Sequence, residues 1–264
     1  MLKGVLHIHS TYSDGDFTLA ELRDLFVRAG CRFACVTDHA DAFDAEKIAA
    51  YERECAERSD AHFQFVPGLE YSCVNRMHIL GYGSTKLSAS TDPQQVIAHI
   101  ASAGAIAVVA HPRDDAFGAI EAFEEVPHGI ETWNTKYDGR YAPRPGTFAL
   151  LARIRARVPG TLAFYGQDLH WRKQHRGLFV LVDAAKPDRA AVLGALGRGA
   201  YVGVKDGLEL PSSGELPSEL VAHFGRVHER SQRLRSWIRR TKMWADGLGI
   251  ALPGAMKAQL RRIL

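Results

Sequence analysis

The sequence predicts an α/β protein whose largely parallel strands close into a barrel, followed by a basic helical tail. Three observations lead to this. Apolar runs of strand character alternate with helically periodic segments for most of the 264 residues, and such alternation implies a parallel sheet with enough repeats for a closed barrel. His, Asp and Glu recur at the carboxyl ends of the strand-like runs, where barrel enzymes carry their working groups. Beyond Pro211-Ser-Ser-Gly-Glu-Leu-Pro217 the pattern turns helical and Arg-rich.

The elements follow in order. Gly4 to His9 reads as a strand, and the alternation Leu6-His7-Ile8-His9-Ser10 sets two imidazoles on one face. Thr18 opens a helix with Glu21 completing a capping box, and Gly30 ends it. Phe33 to Thr37 is a second strand, Asp44 to Ser59 a charged Ala-rich helix, Phe63 to Pro67 a third strand and Met77 to Tyr82 a fourth. Pro93 to Ala103 is helical; Ala105 to Ala110 is a continuous apolar run, as expected of a strand buried on both faces. Gly129 to Trp133 and Thr161 to Gly166 are strands around a helix at Phe148 to Arg157. Leu178 to Asp183, a helix at Arg189 to Arg198 and Tyr201 to Val204 complete the barrel region, residues 1–210. Residues 211–264 form the tail, a basic amphipathic helix carrying Val221, Phe224, Val227, Leu234, Trp237 and Ile238, a break near Gly247-Leu248-Gly249 and a short last helix.

Composition excludes several classes. Apolar content of 46% and charged content of 24% are those of an ordinary globular protein. The net charge of +3 is too small to imply nucleic acid by itself, but residues 218–264 hold ten Lys/Arg against three acids, which leaves −4 for the rest. Cys31, Cys35, Cys55 and Cys73 lack zinc-ribbon or CxxC spacing and read as thiols in a reducing compartment. No apolar run reaches the ~18 residues of a membrane span, and the first strand begins almost at Met1. A cytoplasmic location is expected.

The chemistry lies in seven strings in fixed order: His7-Ile-His9-Ser10, Ser13-Asp14-Gly15, Thr37-Asp38-His39, Pro67-Gly-Leu-Glu70, His78-Ile-Leu-Gly81-Tyr82, Ala110-His111-Pro112 and Gly166-Gln-Asp168-Leu-His170. Each alone is common; the ordered set is specific. Together, over roughly residues 1 to 210, they resemble the PHP (polymerase and histidinol phosphatase) family of metal-dependent phosphoesterases. The resemblance implies a distorted, TIM-like barrel of seven β/α strands and a trinuclear metal site. It assigns His7, His9, Glu70 and Asp168 to a first ion, with Glu70 bridging to a second held by His78 and His111. Asp14, His39 and His170 take the third. Catalysis would then centre on His7, His9, Glu70, Asp168 and His170. Two residues depart from the family pattern, Gln167 and Leu169, and are expected to alter pocket shape more than metal occupancy. Independently of the resemblance, imidazoles and carboxylates without thiolates select zinc, manganese or iron. A cluster of such ions clamps a phosphoryl group and activates a water for in-line attack.

Substrate phosphate also needs cationic partners. Arg113, directly after His111-Pro112, is the first candidate; Lys136, Arg140 and Arg144 follow in a long loop with Tyr137 and Tyr141, and Trp171 stands beside His170. Asp38 reads as a residue supporting the ligands, and Glu131 and Asn134 as pocket-lining or strand-capping residues. His62, His99, His128, His175, His223 and His228 match no motif. The preferred function is hydrolysis of a phosphomonoester of a small metabolite or nucleotide, since no polymerase region is attached. The alternatives are a phosphodiesterase or 3′–5′ exonuclease, with the tail holding a strand, and a non-catalytic nucleic-acid-binding or scaffold module.

Overall fold

Residues 1–247 are described in a computed structural model; the expected break at Gly247-Leu248-Gly249 and the last helix fall wholly or mostly outside them. The strands are β1 (Leu2–Ile8), β2 (Phe33–His39), β3 (Gln64–Ser72), β4 (His78–Tyr82), β5 (Ile106–Ala110), β6 (Gly129–Asn134), β7 (Leu162–Gly166), β8 (Phe179–Val182), β9 (Tyr201–Lys205) and β10 (Leu208–Pro211). The helices are α1 (Leu19–Arg28), α2 (Ala45–Glu57), α3 (Pro93–Ser102), α4 (Phe117–Glu121), α5 (Pro145–Arg157), α6 (Arg189–Gly197) and α7 (Ser218–Gly247). Thr18 and Glu21 form the expected capping box of α1, while Asp44, Asp92 and Asp188 cap α2, α3 and α6.

The ten strands form one sheet in the order β10-β9-β8-β1-β2-β3-β4-β5-β6-β7. The sheet curls until its far ends meet, so β1 to β7 form the expected distorted seven-stranded barrel. Just past β7, Gln167 N donates to Leu6 O and Asp168 N to His7 O, and Leu169 bridges Ile8 in parallel. At the opposite end β1 pairs instead with β8, antiparallel, through Leu2, Lys3 and Gly4. There β10 and β9 lean on β7: Tyr165 Oη donates to Pro211 O, Tyr201 Oη to Ala163 O, and Ala163 N to Ser212 O. One strand is thus shared between two closures.

The expectation of a parallel sheet needs correction at β4. It runs antiparallel to both β3 and β5, because only Cys73–Met77 separates β3 from β4 and a parallel crossover takes a dozen residues or more. β8, β9 and β10 are antiparallel as well. The unanticipated β10 follows a two-residue turn in which Asp206 (φ 50°) and Gly207 (φ 83°) both have positive φ, as a tight hairpin demands.

Alternation sorts the side chains of β2, and in β1 the register shift between Val5 and Ile8 puts both on one face. Val5 and Ile8 of β1 and Ala34 and Val36 of β2 pack outward with Leu22 and Phe26 of α1 and Tyr51 of α2. Leu6, Phe33 and Cys35 belong to the larger core with Val66, Tyr82 and Phe164. The tail helix docks by its first half: Phe224 is buried and stacked on Phe148, with Leu220 and Val227 packed on the core. Its second half does not bury the expected apolar stripe, since Leu234 and Trp237 are exposed. Among the described residues no helix is long and apolar enough to cross a membrane.

Candidate metal centre

The nine candidate ligands come from most of the barrel strands and meet at one mouth. His7 and His9 converge, but not by simple alternation. β1 carries a register shift between Val5 and Ile8, and His7 adopts φ 55°. That kink brings the two rings to 5.3 Å between centroids. His111 (φ 26°) and Asp168 (φ 51°) also have positive φ, a region costly for residues with a Cβ and common at functional sites. Neighbours hold these conformations: Asp168 N donates to His7 O, and His111 N to Glu131 Oε2. Gly166 is required by close approach, since a Cβ there would lie 1.8 Å from Glu131 Oε1 and 2.8 Å from His7 Cβ.

Glu70, fully buried, is the hub. Its Oε1 lies 2.7 Å from His78 Nδ1 and 3.0 Å from His111 Nε2. Its Oε2 lies 3.2 Å from His9 Nε2, 3.4 Å from His39 Nδ1 and 3.5 Å from His7 Nε2. Asp168 Oδ1 is 3.0 Å from His170 Nδ1 and 3.7 Å from His9 Nε2. Asp14, at the rim, faces His170 Nε2 at 3.3 Å and His9 and His39 at 3.7 Å. Four overlapping groups result: His9, Asp14, His39 and His170; His7, His9 and Asp168; His7, Glu70 and His111; His39, Glu70 and His78. Within each, ligand atoms lie within 4.8 Å of one another. The mouth beside Asp14 and His39 opens into a cleft of about 360 Å³ lined also by Ser13, Asp41, Ala42 and Ser72.

The donor chemistry fits divalent ions. Buried polar atoms normally have hydrogen-bond partners, yet His7 Nε2, His9 Nε2 and His39 Nδ1 lie close to Glu70 Oε2 without hydrogen-bonding it, and His9 Nδ1 makes no hydrogen bond either. His7 Nδ1 lies 2.9 Å from Glu131 Oε1; donating there leaves Nε2 free to ligate, the arrangement usual around ligating imidazoles. Burial opposes protonation of His7, but Glu131, Asp168 and Glu70 outweigh it and hold its pKa well above the ordinary value. Burial likewise opposes ionisation of Glu70 and Asp168. The charge of His7 and the surrounding imidazole hydrogen bonds prevail, keeping both carboxyls well below the usual range. His9 goes the other way, burial lowering its pKa against the pull of Glu70.

Surrounding residues hold the candidate ligands in place. Asp38 is fully buried and accepts hydrogen bonds from the backbone N and hydroxyl of both Ser10 and Ser13, fixing the loop that carries Asp14. Asn134 Nδ2 bridges Glu131 Oε2 and Asp168 Oδ2. Gln167 and Leu169 do not shape the pocket as expected: Gln167 turns to Leu178 O and His175, and Leu169 packs beside Val5 and Ile8.

The cationic candidates divide. Lys136 Nζ lies 3.1 Å from Asp168 Oδ1 and 3.3 Å from both ring nitrogens of His170. Arg113 is exposed and held two-pronged by Asp115, a partner two residues on that the sequence could have disclosed. Arg140 lies over Tyr141, 6.0 Å from its centroid, and Arg144 is bound to Asp114, Asp138 and Pro112 O. Tyr137 packs on His111 with centroids 4.5 Å apart.

These features define an α/β barrel with a clustered His/Asp/Glu centre at its mouth. No family model matches the chain. A stretch of 77 residues, 26% of this chain and 14% of the relative, is 31% identical to the DNA polymerase/3′–5′ exonuclease PolX of Bacillus subtilis. In fold the chain is similar to a two-domain protein of Bacteroides vulgatus containing a predicted PHP-like metal-dependent phosphoesterase. That match has TM-score 0.55 and 16% identity over 77% of this chain and 64% of the other, so the chain spans less than two thirds of each of these relatives. An amidohydrolase of Chromobacterium violaceum, with bound sulfate and no metal, has TM-score 0.50 and 18% identity over 67% of this chain and 90% of the other. The chain has a PHP-like barrel fold, the one its motifs led us to expect.

Proposed function

We propose that the chain hydrolyses phosphate esters, using two or three divalent ions, zinc, manganese or iron, held by His7, His9, Asp14, His39, Glu70, His78, His111, Asp168 and His170. The observation that carries this is the gathering of all nine into four overlapping groups around buried imidazole nitrogens that make no hydrogen bond. Bound there, divalent ions would neutralise phosphoryl charge and make water acidic enough to attack near neutral pH. The protein supplies the rest. Glu70 joins the ligand groups, Glu131 and Asn134 orient His7 and Asp168, and Tyr137 covers His111. Lys136, beside Asp168 and His170, offers a fixed ammonium to a non-bridging oxygen. Arg113 and Arg140, both exposed, are assigned to the remainder of the substrate.

A small phosphomonoester is the first reading. Cleavage of a nucleic-acid phosphodiester is the second, favoured by the short likeness to a polymerase/exonuclease and by the basic helix α7. A vestigial scaffold would have no need of a complete ligand set. The test is a screen of metal-analysed protein against p-nitrophenyl phosphate, bis-p-nitrophenyl phosphate, nucleotides and sugar phosphates. Hydrolysis should disappear with chelator and fall at least ~10³-fold in His7→Ala and Asp168→Ala, within the range metal catalysis contributes. Quantitatively bound ions with no turnover of any ester would refute the proposal.

A further inference from the structure

We propose that α7 and the loop before α5 form a binding track for single-stranded nucleic acid. The track is a surface in its own right and holds whether or not the barrel mouth hydrolyses esters. Among the described residues five Phe, Tyr or Trp side chains are exposed: Tyr137 (52%), Tyr141 (61%), Trp171 (51%), Trp237 (60%) and Trp244 (68%). All lie at the barrel mouth, on the adjoining loop or on α7. A chance scatter of surface aromatics would have reached the other faces of the barrel.

Each is interleaved with cations. Lys136 Nζ is 5.3 Å from the Tyr137 ring and 5.9 Å from that of Trp171, and Arg140 lies over Tyr141. On α7, Arg226, Arg230, Arg233, Trp237, Arg240 and Trp244 are exposed and follow one another at steps of three or four residues, so they share one face. That face lies away from the docked residues Leu220, Phe224 and Val227. It extends about 27 Å, with the two indoles ~10 Å apart along the axis. The helix also meets the loop: His228, Ser231 and Leu234 line a small crevice together with Gly139, Arg140 and Tyr141. The loop with Arg140 and Tyr141 therefore borders α7 along its docked flank, beside the exposed row.

Alternating arginine and aromatic side chains suit a flexible polyanion with exposed flat bases: guanidinium groups meet phosphates and indoles stack on bases without regard to sequence. A membrane-surface helix requires instead a contiguous apolar face flanked by charge. Here Arg233 and Arg240 sit in the same row as Trp237 and Trp244, in the middle of the face that would have to enter lipid.

The test uses the full-length chain in EDTA, so that hydrolysis is absent. It measures anisotropy of a labelled 20-mer oligo(dT), a blunt duplex of equal length, and co-sedimentation with phosphatidylglycerol vesicles. We expect saturable oligo(dT) binding with tryptophan quenching, at least ten-fold tighter than duplex. Trp237→Ala with Trp244→Ala should weaken it ten-fold or more. Arg233→Gln with Arg240→Gln should lower the slope of log affinity against log salt by about 1.4, the ~0.7 per phosphate expected for a single strand. These side chains are exposed, and unchanged melting temperatures would certify the fold. Absent oligonucleotide binding, preference for duplex, indifference to both pairs of substitutions, or a higher affinity for vesicles would each overturn the proposal.

Discussion

At Glu131 one carboxylate serves three neighbours: it orients His7, fixes the strained His111 backbone and meets Asn134. Glu131→Gln keeps the shape but removes the charge, and metal affinity should fall 10–100-fold, as for other groups that orient ligating imidazoles, measured by competition with a chromophoric chelator. Gly166→Ala places a methyl against Glu131 and His7; overpacking of this kind costs about 1–3 kcal/mol, to be read from urea unfolding along with lost metal retention. Asp38→Ala strands four donors and should cost about 3 kcal/mol, while loosening Asp14 more than Glu70. The nine candidate ligands were legible in the sequence because each sits in a short ordered string, and the fold brings them to one mouth. Their positive φ values were not, since an L-residue enters that region only when tertiary contacts force it. Neither was the role of Glu131, which depends on β6 lying beside β5 and β7.

At the level of elements, capping residues and apolar periodicity located most helices and strands to within a few residues. Direction was harder to read. The short connection Cys73–Met77 carried the information that β4 must reverse, but a β/α rhythm on either side masked it. Two residues, Asp206 and Gly207, likewise announced the β9–β10 hairpin in a stretch with little apolar signal. For α7 the sequence indicated one amphipathic helix; the structure divides it into a docked half and an exposed half. Phe224 is the anchor, and Phe224→Ala should cost about 3 kcal/mol of docking energy. Limited proteolysis should then cut α7 while the barrel stays intact; simultaneous loss of both would mean that α7 and barrel unfold as one unit.

For the whole molecule, the buried centre makes stability depend on pH. His7 is held above the ordinary ~6.5, so its contribution is complete below that value and fades as pH rises through the elevated pKa. Glu70 and Asp168 are held below the ordinary ~4, so theirs is complete above that and is lost as pH falls through the depressed values. His111 is raised in the same sense as His7, while the lowered His9 favours the fold above ~6.5. The shift of His7 is the large one, so the chelated protein should melt highest between about pH 4.5 and 6.5 and lower toward pH 9. With zinc the alkaline decline should vanish, because metal competes with protons for the same imidazoles. A chelated protein that grows steadily more stable from pH 6 to 9 would contradict this account of His7.

The seam between β1 and residues 167–169 has a consequence for biosynthesis. A nascent chain exposes His7 and His9 to the ribosome's surroundings long before Asp168 and His170 are translated. Until those later residues clear the exit tunnel, the early imidazoles have no carboxylate from the far edge to share an ion with. The groups that include Asp168 or His170 can accordingly assemble only in chains synthesised past residue 170, whereas His7, Glu70 and His111, and His39, Glu70 and His78, are all present by residue 111.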